Sequence, residues 1–72
     1  MKTPLTQTIV KYLSDNKGWA FKGDIEKLAQ RKGYYAYTGA RAAQRLAKEG
    51  KIVNKYDDRG LVMYRAKRKG EK

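Results

Sequence analysis

Arg45-Leu46-Ala47-Lys48-Glu49-Gly50-Lys51-Ile52 is the stretch on which the fold turns. Up to Glu49 it reads as the close of a helix, and Gly50 stands where a left-handed residue ends one. From Ile52 the chemistry changes. Ile52-Val53-Asn54-Lys55-Tyr56 and Leu61-Val62-Met63-Tyr64-Arg65 are strand-like, rich in β-branched and aromatic residues. Between them lies Asp57-Asp58-Arg59-Gly60, which is turn chemistry. A helix therefore passes directly into a β-hairpin.

Working backwards, that helix spans about residues 39 to 49, with Thr38 as its expected N-cap. Tyr34-Tyr35-Ala36-Tyr37 reads as a loop with three aromatics. Any single ring is slightly more at home in the core, but three in four residues cannot all point inward, so at least one is expected to be exposed. A second helix is expected over 24 to 31. Its acids, Asp24 and Glu26, come first and its cations last, as the helix dipole favours. Gly33 ends it and Lys22-Gly23 is a break before it. Two short helices joined by a few residues give the helix-turn-helix spacing. Trp19-Ala20-Phe21 predicts a short strand with both rings turned inward. The first helix carries Leu5, Ile9, Tyr12 and Leu13 on one face. Thr3 is its expected N-cap, Pro4 its first residue, and Gly18 its left-handed stop. Val10, Val53, Leu61 and Met63 are candidates for exposed apolar residues. The domain is expected over 1–66, and 67–72 as a basic disordered tail.

Composition narrows the function. The chain has 72 residues, with 18 Lys and Arg against 7 Asp and Glu, a net charge of +11. That excess points to a polyanionic partner, nucleic acid or an acidic membrane surface. Leu, Ile, Val and Phe make up only 12 of the 72 residues, which alone would suit a disordered chain. Six Tyr, one Trp and the periodic apolar positions argue for a fold instead. The absence of Cys and His excludes zinc fingers, disulfide scaffolds and thiol or imidazole catalysis. Asp57-Asp58, the adjacent acid pair, sits in a turn, so no enzyme, metal site or cofactor is expected. Met1-Lys2-Thr3-Pro4 leads into no apolar run, so neither a secretory signal nor a membrane anchor is expected. A cytoplasmic, nucleoid-associated protein is the corresponding expectation.

The third helix carries the candidate site. Gly39, Ala43 and Leu46 share its inner face, flanked by Ala42 and Ala47. Arg41, Gln44, Arg45 and Lys48 gather opposite, within about 100° of arc. Arg and Gln are the residue types that read guanine and adenine edges, and all four bind phosphate. A merely solvated helix face usually mixes signs, whereas this one meets no acid before Glu49. Thr38 at the helix start is a further candidate, offering backbone N–H groups to a phosphate. On the hairpin, Lys55 and Arg59 are candidate contacts, with Asp57 and Asp58 left in solvent.

With these elements in order, residues 4 to 66 resemble a winged helix-turn-helix domain. The stretch Arg45 to Ile52, the Asp-rich turn and Val62-Met63-Tyr64 carry the resemblance. It implies an α+β fold of three helices, a short strand between the first two, and a C-terminal two-stranded wing. It also implies a double-stranded DNA partner. Arg41, Gln44, Arg45 and Lys48 map to the recognition helix and Arg59 to the wing tip. A small transcriptional regulator follows, for which a homodimer on palindromic DNA is a natural arrangement and no small-molecule ligand is expected. Two other classes compete with it: a protein-interaction domain of a larger nucleoprotein assembly, and an RNA or single-strand binder using the Tyr34–Tyr37 loop.

Overall fold

The computed structural model describes residues 4–16 and 18–67. It is a small α+β domain of three helices and a three-stranded antiparallel sheet. The elements run α1 (Leu5–Asp15), β1 (Ala20–Phe21), α2 (Lys22–Arg31), α3 (Ala36–Lys48), β2 (Ile52–Tyr56) and β3 (Val62–Ala66). The sheet order is β1-β3-β2, so the last strand lies in the middle. Ala20 pairs with Tyr64 on one side, and Asn54 pairs with Tyr64 on the other.

The core forms where these apolar stripes converge. Leu5, Ile9 and Leu13 from α1 meet Ile25, Leu28 and Ala29 from α2, Ala43 and Leu46 from α3, and Ile52 and Tyr64 from the hairpin. Each fully buried side chain of the size of Ile9 or Leu46 contributes roughly 1.5–3 kcal/mol. Gly39 sets how closely α2 and α3 approach. A Cβ there would lie 2.7 Å from the Ala29 Cβ and 3.0 Å from the Ile25 carbonyl oxygen.

Both helices of that pair end on a glycine in the left-handed region, Gly33 at φ 91° and Gly50 at φ 78°. Each closes with the two hydrogen bonds of a Schellman motif. For α3 these run from Gly50 N–H to the Ala47 carbonyl (3.1 Å) and from Lys51 N–H to the Leu46 carbonyl (2.9 Å).

Several expectations from the sequence need correcting. The helix α2 begins at Lys22, so Lys22-Gly23 is its first turn and not a break. The reason is Asp24, whose carboxylate accepts the Phe21 backbone N–H at 3.0 Å and fixes the cap there. The helix α3 begins at Ala36. The carbonyl of Tyr35, in extended backbone, accepts the N–H groups of Thr38 (3.1 Å) and Gly39 (3.4 Å). Thr38 is therefore inside the first turn and is not the cap, and the loop shrinks to residues 32–35. Pro4 occupies the cap position of α1 and not its first helical residue, and Thr3 lies outside the described residues. At the other end, Asn16 leaves the helix in extended backbone, and Gly18 does not take a positive φ.

The strand β1 also turns over relative to expectation. Ala20 is the buried residue, while Trp19 is half-buried and Phe21 is exposed. The register puts Ala20 against buried Tyr64 on the inner face, so its neighbours Trp19 and Phe21, which alternate with it along the extended backbone, turn outward. At least one of Tyr34, Tyr35 and Tyr37 is expected outside; all three are exposed, so the core reading fails for each ring taken singly. The strand β3 starts one residue late, which leaves Leu61 in the loop and exposed. Val10 packs against the core, and Val53 and Met63 are half-buried. The expected tail reduces to exposed Lys67, because 68–72 lie outside the described residues.

Candidate nucleic-acid interface

The packing of α3 decides which of its residues remain available. Gly39, Ala43 and Leu46 are buried, so the opposite side faces solvent. There Thr38, Arg41, Gln44, Arg45 and Lys48 line one shallow depression. Five of the seven residues expected from the sequence thus come together on one helix face. Because α3 starts three residues early, Tyr37 joins that face too, one turn before Arg41. Tyr37 is 60% exposed and Tyr35 72% exposed. Their rings stack at 5.6 Å between centroids, 9° from parallel.

The charge on this face is nearly of one sign. Arg45 Nε lies 3.3 Å from Glu49 Oε2, and Lys51 Nζ lies 3.6 Å from Glu49 Oε1. Both pairs are solvent-exposed and hold their cations only weakly. Neither Arg41 nor Lys48 has an ion-pair partner among the described residues. Thr38 contributes a hydroxyl, since its own N–H and that of Gly39 are taken by Tyr35.

The hairpin splits the other two candidates. Arg59 is on the α3 side, lining a groove between α3, the first turn of α2 and the hairpin. Its guanidinium Nη2 is 3.2 Å from Asp57 Oδ2 and is otherwise open to solvent. Lys55 is elsewhere. Side chains alternate along β2, so Lys55 projects from the face opposite Asn54 and Tyr56, which line the groove. Its ammonium sits 4.5 Å from the centre of the Trp19 ring, and the Arg65 guanidinium lies 5.1 Å from the same ring. These are cation–π distances. Lys55 is thus not gathered with the α3 face.

The turn itself is organised by Asp57. Its Oδ1 accepts the backbone N–H groups of Arg59 and Leu61, both at 2.9 Å. Gly60, at φ 82°, donates to the Asp57 carbonyl at 3.0 Å. The carboxylate is largely covered and does not stay in solvent as expected. The Leu61 N–H hydrogen bond, opposed by partial burial and joined by the Arg59 contacts, holds Asp57 below its ordinary pKa of 3.8.

Sequence reasoning named Leu61 as an exposed apolar residue, which it is, but missed Lys22 and Tyr56; all three join Gln44, Lys48 and Arg59 in the groove. For Tyr56 the signal was available. It shares the strand parity of buried Ile52, and the strand outruns the core. For Lys22 the signal was absent, because Gly23 masked the helix start.

Among the described residues, no three His, Cys, Asp or Glu side chains cluster as metal ligands, and no helix is long and apolar enough to cross a membrane. The chain matches no protein-family model, no curated protein and no solved structure.

Proposed function

We propose that the chain is a winged helix-turn-helix module that binds double-stranded DNA, acting by occupancy and not by catalysis, as a small transcriptional regulator does. The observation that carries this reading is the exposed face of α3. Arg41, Gln44, Arg45 and Lys48 lie side by side, with no acid among them, on a helix whose opposite face is fully packed. Held in a major groove, Arg41 and Arg45 are placed to engage guanine N7 and O6, and Gln44 to engage adenine. Lys48 and the Thr38 hydroxyl would then take phosphates. The α2–loop–α3 unit provides the helix-turn-helix, and β2–β3 provides the wing, with Arg59 near its tip reaching the neighbouring backbone or minor groove.

The test is binding of a selected duplex by Arg41→Ala and Arg45→Ala. Each is expected to cost about 1–3 kcal/mol where the contact is to a base. An Arg41→Ala/Arg45→Ala double variant that binds as tightly as wild type would overturn the assignment of this face.

One observation favours a second reading. The stacked, exposed Tyr35 and Tyr37 rings are a platform of the kind that holds unpaired bases. In that case Tyr35→Ala abolishes single-strand or RNA binding and leaves duplex binding intact.

A further inference from the structure

The groove between α3, the first turn of α2 and the hairpin has a volume of about 800 Å³, within the range of sites that hold compact ligands. Its lining is unlike that of the α3 face. Phe21, Tyr56 and Leu61 contribute apolar surface and are 38%, 67% and 47% exposed. Ala47 and Val62 continue the apolar floor between them. Lys22, Lys48 and Arg59 stand among them, and among the described residues no Asp or Glu lines the groove.

Charge complementarity calls for an acidic occupant. The aliphatic half of the lining decides which kind. A duplex presents phosphates and stacked base edges, which offer little to Leu61, Val62 or Ala47. A single strand could stack on Tyr56, but the three aliphatic side chains present no ring for its bases. Aliphatic and aromatic side chains on a partner would fill this surface, with carboxylates reaching the cations. Exposed apolar surface rimmed by charge is the usual mark of a protein-binding site.

We propose that this groove is a docking site for an acidic peptide segment that carries apolar anchors. Binding in the groove stands independently of the duplex reading. Gln44 and Lys48 belong to both surfaces, however, so on that reading peptide and duplex exclude one another. The peptide partner would then act as a release switch for the nucleic acid.

The probe is a displayed library of random peptides, selected on the immobilised full chain. The enriched sequences are synthesised with a fluorophore and measured by anisotropy. They are expected to be acidic and to carry at least two large apolar residues. Leu61→Lys and, independently, Tyr56→Lys should each weaken them by about tenfold, the effect of losing one central interface side chain. Both residues are exposed and both changes add positive charge, so a contact made by charge alone would tighten instead. Circular dichroism checks that each variant folds.

A library that yields no binder, or binders without apolar residues, overturns the proposal. So does undiminished affinity in both folded variants. A labelled oligothymidylate that loses affinity in them, while the peptides do not, assigns the groove to single-stranded nucleic acid instead. Arg41→Ala, outside the groove, should leave peptide binding unchanged. Were duplex binding absent altogether while the peptides bound as described, the proposed function would fail and the docking site would stand.

Discussion

Gly39 and Glu49 show how single residues in α3 set what the helix can do. Gly39 is buried against α2, and a methyl group there would meet a Cβ at 2.7 Å and a backbone oxygen at 3.0 Å. Alanine gains up to about 1 kcal/mol of helix propensity over glycine. Overpacking against two atoms that cannot swing aside costs about 1–3 kcal/mol. The steric term wins, so Gly39→Ala is expected to lower the denaturant midpoint. An unchanged or raised midpoint would mean that the two helices are further apart than described. Glu49 acts on binding instead. It holds Arg45 and Lys51 in exposed pairs at 3.3 and 3.6 Å. Such pairs are worth about 0.2–1 kcal/mol. Glu49→Gln should therefore tighten duplex binding a few-fold, seen as a lower Kd at fixed salt. Weaker binding would place Glu49 itself in a contact.

Among the elements, the hairpin depends on one carboxylate. Asp57 accepts two backbone N–H groups and the Arg59 side chain, which keep its pKa below the ordinary 3.8. The unfolded chain thus takes up this proton at a higher pH than the folded chain does. Its contribution is fully present above pH 3.8 and is lost as pH falls through the lower, folded value. The protection factors of the Arg59 and Leu61 amides, exchange rates taken relative to the unstructured chain at the same pH, should fall on acidification through that window. In Asp57→Asn that protection should be low already at neutral pH and should not change with acid. Equal protection in both proteins would remove the carboxylate from the account of the turn.

The helices show what could be read in advance. The stripes of α1 and α2, the glycine stops at 33 and 50, and the inner and outer faces of α3 all follow from spacing and residue type. What was hidden depended on tertiary context. A backbone carbonyl at Tyr35 replaced the obvious Thr38 cap, and the Asp24 carboxylate recruited Lys22-Gly23 into α2. Trp19 left the core because a two-residue strand pairs Ala20 with Tyr64, and two cations lie over its half-buried ring. Hydrophobicity alone places both rings inside. In the candidate site, the α3 residues were visible because helical spacing brings them together. Lys55 lies apart from the α3 face because strand parity, and not charge, sets which side of the sheet a hairpin cation takes.

At the scale of the whole molecule, the +11 charge needs a use. If α3 and the wing together neutralise about five phosphates, binding releases about five counterions. The logarithm of the duplex association constant should then fall with the logarithm of salt at a slope near −4 to −5. Arg41→Ala should flatten that slope by about 0.9 if its contact is to phosphate, and leave it unchanged if its contact is to a base.

The most direct test of the central claim is anisotropy of a labelled random duplex of about 20 base pairs, titrated with the protein at ~50 and ~200 mM salt. Binding at the lower salt should weaken by two to three orders of magnitude at the higher and should be lost in Arg41→Ala/Arg45→Ala. No binding at the lower salt, or binding that the double variant retains in full, would contradict the claim.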